Sequence, residues 1–278
     1  MVGVHLENWL RGSFLRGIHM PFVKNKDVRI RYEVEGVGPA LVLQHGSLGW
    51  GGDWKEYGYL NELRGERQLI LVDARGHGES DKPHDSAAYE LRSRVGDVTA
   101  VLDTCGIRQA DYFGYSMGGW IGFGLAKYAP ERLRSLIIIG AHPYGENMQP
   151  FRQLLPQEPA AFEALVEKFW GPFLTPAIRA GLLANDLKAI AALTQDRPPL
   201  TDMLPTISVP CLLFAGEADP RLPQVKKCAQ ELANATFISL PGCDHVASIA
   251  RSDLVLPHLR AFLAKAGSVA ARRASNAD

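Results

Sequence analysis

The stretch Phe113–Trp120 reads FGYSMGGW, with Ser116 set among Gly114, Gly118 and Gly119. Glycine inside a strand or helix costs up to about 1 kcal/mol relative to alanine. Its concentration here therefore marks a backbone that turns tightly or is closely approached. Gly114-Tyr115-Ser116-Met117-Gly118 fits the pattern G-x-S-x-G. Between a strand and a helix that pattern is a nucleophile elbow, in which a serine occupies a strained turn and small neighbours make room for backbone. Gly119 and Gly122 would then let the following helix pack closely on a sheet. The pentapeptide alone is a weak signal, because a chain with 27 glycines can produce it by chance around an inert serine. Context has to decide.

Outward from this stretch, short β-rich runs alternate with longer helical ones. Upstream, VRIRYEVEG (28–36) alternates apolar and charged residues, as a half-exposed antiparallel strand does. ALVLQHG (40–46) and RQLILVDARG (67–76) are apolar runs ending in polar loops, the pattern of strands buried on both faces. Residues 92–107 carry Val95, Val98, Val101 and Leu102 at helical spacing and stop at Gly106. Downstream of Ser116 come a helix ending near Pro130 and a buried strand over 133–141. The rhythm resumes late: strand 209–219, helix 223–233, strand 235–242 and a last helix over 255–266. This order predicts a mostly parallel sheet covered on both faces. Residues 143–205 break the rhythm with helical patterns alone, and a structureless loop of that length is improbable in a compact domain. We expect a small helical cap there, inserted after a strand.

The totals fit this reading. The chain has 278 residues, 46% hydrophobic, with 30 basic and 30 acidic side chains. That suffices for one large core. Charge balance points away from nucleic acid and from an anionic membrane surface as partners. The four cysteines, Cys105, Cys211, Cys228 and Cys243, form no CxxC pair and no metal-ligand spacing, so they read as buried thiols in a reducing compartment. Residues 1–19 carry Glu7, Arg11 and Arg16 among their apolar positions, which leaves no signal-peptide core. Met20 directly precedes the first strand-like segment. We expect residues 1–19 to lie outside the fold, a core over 20–142 and 206–265, the cap over 143–205, and a flexible tail over 266–278. The expected location is cytoplasmic. Nothing in the pattern selects a monomer over a homodimer.

A serine hydroxyl needs a base to take its proton, and the base needs a third group to orient it. Of eight histidines, His5 and His19 fall in the extension. His77, His84, His142 and His258 read as structural or surface residues. His245, in LPGCDHVAS just past the last strand, stands at the carboxyl edge of the sheet, where open α/β sheets bind ligands. FAGEADP, again just after a strand, offers Glu217 or Asp219, and Asp219 is the choice because it lies deeper in the loop. Asp244, adjacent to His245, would point away from it.

These segments together resemble the α/β-hydrolase-fold superfamily, in its small-capped serine esterase and lactonase type. LVLQHGSLGWGGDW resembles that family's His-Gly oxyanion loop, and LVDARGHGESDKP its D-x-R-G-x-G-x-S segment. GYSMGGW, GEADP and GCDHVAS match the elbow, acid and base segments in the order Ser116, Asp219, His245. The resemblance covers nearly all of residues 20–265. It implies a mostly parallel, eight-stranded sheet flanked by helices, with the cap after strand 6. It also implies a catalytic triad of Ser116, Asp219 and His245 and an oxyanion hole from the backbone N–H groups of Ser47 and Met117, with neither metal nor cofactor. His45, Asp73 and Arg75 would be structural. One departure is the loop Ser47-Leu48-Gly49-Trp50, where many relatives carry a proline. A serine nucleophile also points away from the dehalogenase and epoxide-hydrolase branches, which form an ester on a carboxylate.

The expected substrate is a small or medium carboxylic ester or lactone, with Leu48, Trp50, Trp120 and Trp170 as pocket candidates. The same residues could serve a C–C bond hydrolase of ring-cleavage products or a perhydrolase. A receptor-like ligand-binding protein on the same fold is the non-enzymatic alternative, disfavoured because recognition needs no strained elbow.

Overall fold

The computed structural model describes residues 21–156 and 158–275. The strands are β1 (Phe22–Asn25), β2 (Val28–Glu35), β3 (Ala40–Gln44), β4 (Gln68–Val72), β5 (Ala110–Tyr115), β6 (Leu133–Ile139), β7 (Cys211–Gly216) and β8 (Ala235–Leu240). They form one eight-stranded sheet in the order β1-β2-β4-β3-β5-β6-β7-β8. β1 pairs antiparallel with β2 and β2 with β4, while every pairing from β4 through β8 is parallel.

Side-chain alternation along the central strands feeds two cores. Val42 of β3 and Leu136 and Ile138 of β6 join one cluster; Leu41, Leu43, Ile137 and Ile139 join the other. Helices α3 (Leu91–Thr104), α4 (Met117–Tyr128) and α9 (Leu222–Glu231) cover the first face through Val98, Phe123 and Val225. On the second face lie α1 (Asp53–Glu56), α2 (Tyr59–Leu63) and α11 (Ser252–Ser275), with Trp54, Tyr59 and Leu259 in contact with it. Burying each such aliphatic side chain contributes about 1.5–3 kcal/mol. That explains why the strands read as continuous apolar runs.

Local signals end the elements where the sequence suggests. At the end of α3, Ile107 N donates to Leu102 O at 2.9 Å and Gly106 N to Asp103 O at 3.0 Å, with Gly106 at φ +69°. This is a Schellman closure. β2 departs from simple alternation because Arg31 is buried beside Ile30 and Tyr32, paired with Glu33 at 2.7 Å.

Between β6 and β7 the chain forms α5 (Gln149–Leu154), α6 (Pro159–Trp170), α7 (Pro176–Leu183) and α8 (Leu187–Leu193). Its two stems close on each other: Glu146 N donates to Arg197 O at 3.0 Å, and Arg197 N to Glu146 O at 2.9 Å. At the end of the chain α11 continues through Ser275, so the tail expected from residue 266 is helical over its described residues. The extension expected over residues 1–19 lies outside the described residues. Among the described residues, no helix is long and apolar enough to cross a membrane.

Candidate active site

Ser116 sits between β5 and α4 at φ +52° and ψ −109°, a strained conformation for a residue with a side chain. Its neighbours explain the glycines. A Cβ at position 118 would lie 2.2 Å from the backbone oxygen of Gln44, and one at 114 would lie 2.4 Å from that of Gly118. The turn is tight because strand, turn and helix backbones meet there, and only glycine allows it. Ser116 N donates to Ile139 O at 2.8 Å, anchoring the turn to β6.

β7 and β8 deliver the other two groups to the same edge. Asp219 follows β7, and His245 opens α10 (His245–Ala250) just after β8. His245 Nδ1 lies 2.7 Å from Asp219 Oδ2, and His245 Nε2 lies 2.9 Å from Ser116 Oγ. The carboxylate accepts from Nδ1–H, which leaves Nε2 free to accept the serine proton. Asp219 Oδ1 accepts from Arg221 N at 2.9 Å. Burial pushes the Asp219 carboxyl up, but the His245 contact and the Arg221 N–H outweigh it, and the carboxyl sits below its ordinary value. Asp219 thus stays ionised beside the imidazole.

The rejected acids have other work. Asp244 caps α10 by accepting from Ala247 N at 2.8 Å, and Glu217 accepts from Gly242 N at 3.3 Å. Two supporting residues went unread in the sequence. Gly140, at φ +61°, leaves room for the pair, since a Cβ there would lie 2.8 Å from the imidazole Cε1. Tyr115 donates its hydroxyl to His245 O at 3.0 Å, and its ring lies 5.1 Å from the imidazole. Gly140 ends an isoleucine run and Tyr115 immediately precedes the serine, so both positions carried a signal.

The Ser47 loop follows β3. Met117 is the first residue of α4, so its N–H has no intrahelical acceptor. Among the described residues no acceptor takes the N–H of Ser47. Leu48 adopts φ +70°, and its carbonyl accepts from Asn185 Nδ2 at 2.7 Å, which ties the proline-free loop to the end of α7. Behind it, His45 Nε2 accepts from Ala74 N at 3.0 Å, and Asp73 accepts from Gly51 N and Glu79 N. Arg75 pairs with Asp97 at 2.6 Å. These groups lace the loops together beneath the site.

A cavity of about 270 Å³ opens over Ser116 and His245, walled by Leu48, Phe151, Leu165, Trp170 and Val246. One pocket expectation needs correction. Trp50 does not line it: its indole packs on α7, where a Cβ at Gly181 would lie 2.4 Å from Nε1. The turn at Leu48 sends the next large side chain outward. Trp120 lines a second, adjoining cavity of about 360 Å³, because α4 carries it past the elbow to the far side of Met117.

The sheet order, the elbow and the convergence of three loops at one edge decide the fold. The chain is an α/β-hydrolase-fold protein. A family model described as alpha/beta hydrolase fold matches residues 39–175, which include Ser116 but neither Asp219 nor His245. A Bacillus subtilis (strain 168) protein provisionally named 2-succinyl-6-hydroxy-2,4-cyclohexadiene-1-carboxylate synthase is 26% identical over 250 residues, 79% of this chain and 90% of that protein. The enol-lactonase from Burkholderia xenovorans LB400 superposes with a TM-score of 0.78 at 23% identity, over 88% of this chain and 100% of that one. The esterase RhEst1 from Rhodococcus sp. ECU1013 gives 0.78 at 22%, over 89% and 99%. At such identities the structural likeness speaks for the α/β-hydrolase fold alone, and the chemistry rests on the geometry above.

Proposed function

We propose that the protein is a cofactor-independent serine hydrolase of small or medium carboxylic esters or lactones. The relay from Asp219 through His245 to Ser116, at 2.7 and 2.9 Å, carries this reading. In this mechanism His245 Nε2 takes the Ser116 proton as Oγ attacks the acyl carbon. The imidazolium is held by Asp219, and the tetrahedral oxyanion faces the N–H groups of Ser47 and Met117. Each oxyanion donor is worth about 2.7–4 kcal/mol of barrier. His245 then protonates the leaving alcohol, the acyl-enzyme forms, and water repeats the sequence. The wall over Ser116 is mostly apolar, and its modest volume favours a compact acyl or ring group.

The test is hydrolysis of 4-nitrophenyl acetate, butyrate and octanoate and of a γ-lactone by wild type and Ser116→Ala. Turnover that disappears with the hydroxyl is expected. Equal turnover by the folded variant, or none of any substrate by wild type, would overturn the reading.

A further inference from the structure

The cavity beside the elbow differs in chemistry from the one above Ser116, although the two share Ser47, Met148 and Arg197. Arg94 and Trp120 stand in its wall next to Met117. Arg94 is buried, and among the described residues it makes no ion pair. Its donors go to the carbonyls of Tyr89 and Leu193, both at 2.8 Å, and to Met117 Sδ at 3.2 Å. Three of five guanidinium N–H groups are thereby used, one of them on a weak thioether acceptor. Arg197 spends one donor on Glu146 Oε2 at 3.0 Å, and Arg221 shares that carboxylate at 2.5 Å. Both guanidinium groups lie within 6 Å of the Trp120 ring, Arg94 at 5.8 Å and Arg197 at 5.3 Å. Trp120 Nε1 is buried and finds no acceptor among the described residues.

A buried cation lacking a counter-ion is expensive, and the cost shows in its protonation. Burial, then the positive charges of Arg197 and Arg75, bring Arg94 down to about 9. Acidic residues reach the cavity, but none neutralises Arg94. Asp196 is bound to Arg152 at 2.8 Å, and Glu90 is exposed. An arginine fork with free N–H groups in a low-dielectric wall matches a planar carboxylate.

We infer that the cavity walled by Arg94, Trp120 and Arg197 is a carboxylate subsite, so that the substrate is a carboxylate-bearing ester or lactone with an apolar part over Ser116 and its acid group beyond Met117. This rests on the serine-hydrolase reading for turnover but not for binding. The site is bipartite, with the oxyanion donors at the junction of its two halves. With Arg94 in no ion pair among the described residues, and Arg197 and Arg221 sharing the single carboxylate of Glu146, the wall carries excess positive charge, which suits an anion.

Three substrates read it: 4-nitrophenyl butyrate, mono-4-nitrophenyl glutarate with the acid on the acyl side, and 4-(butyryloxy)benzoate with the acid on the leaving group. Wild type should favour one acidic ester over the neutral one by about 10-fold or more in kcat/KM, as expected for a charge-assisted contact. Which ester wins tells which half enters the subsite. Arg94→Gln and Arg197→Gln should each reduce that preference about 10-fold, and Arg197→Lys should keep part of it. Wild type without preference for either acidic ester, or a preference that survives in both glutamine variants, overturns the inference. Calorimetry of glutarate on Ser116→Ala, with and without Arg94→Gln, reads the subsite when nothing is turned over. Affinity should fall about 10-fold with Arg94→Gln; absent or equal affinity overturns the subsite, even if ester hydrolysis itself depends on Ser116.

Discussion

Around Ser116, backbone meets backbone. A methyl group added at Gly114 or Gly118 would run into main-chain oxygen, and one at Gly140 would lie 2.8 Å from the imidazole. Around Trp170, on the other side of the same cavity, side chains meet side chains. There Phe151, Leu165 and Trp170 project from short helices, and Leu154 and Phe169 remain exposed beside them. The insertion is fastened by Arg197 on Glu146, Arg152 on Asp196 and Arg179 on Glu163, most of them partly solvated. Exposed ion pairs are worth about 0–1 kcal/mol each, whereas a strand side chain buried on both faces is worth more. The Ser116–His245–Asp219 relay thus stands on elements fixed by buried strands, and the pocket wall on helices fastened largely by partly solvated ion pairs.

Mutations on the two sides should differ in kind. The largest expected effect is Asp219→Asn, which keeps the shape but spoils imidazole orientation; kcat should drop by about 10³–10⁴ with KM nearly unchanged. A loss under tenfold in steady-state kinetics would remove Asp219 from its role. Gly118→Ala comes next. Its Cβ would sit 2.2 Å from Gln44 O, and main chain cannot swing aside, so stability should fall by about 3 kcal/mol in urea unfolding. An unchanged midpoint would mean that the elbow is as pliant as the insertion, and the contrast would fail. On the insertion side, Trp170→Ala should raise KM roughly 10-fold and leave kcat within about twofold, because it removes binding common to ground and transition states. A kcat collapse instead would make the insertion part of the reacting geometry.

The smallest effect concerns Asp53, which supports the Ser47 loop by accepting from Trp50 N at 3.1 Å. Burial raises its carboxyl to about 7, the Trp50 N–H opposes this, and the nearby charges of Asp73 and Glu56 add to it. The folded-state value lies above the unfolded one, near 3.9. Asp53 therefore favours the fold most below about pH 4, and that advantage is lost as pH rises through about 7. Asp53→Asn should flatten this dependence, narrowing or reversing the gap to wild type between pH 5 and pH 8 in urea titrations. Parallel profiles would show that Asp53 ionises freely in the fold.

What could be read in advance follows the same division. Ser116, Asp219 and His245 were legible because each stands one short loop beyond a continuous apolar run, and parallel strands bring such loops to a common edge. Gly118 was legible because only close approach of backbone explains a glycine there. Trp50 was misread because proximity in sequence does not set side-chain direction. A single residue at φ +70°, Leu48, turns Trp50 away, and the helical twist of α4 carries Trp120 behind Met117. Arg94 and Arg197 were invisible as a pair, since 103 positions separate 94 from 197 and neither lies in a recognisable pattern.

The sequence by itself determined the strand–helix alternation, the elbow and the order of the three polar groups, because these depend on local periodicity and on steric demands within a few residues. Only the tertiary structure decided which side chains wall the cavities, and that Arg94 stands buried with no ion pair among the described residues. Those outcomes depend on contacts between segments far apart in the chain, where packing and desolvation act on whatever the fold brings together.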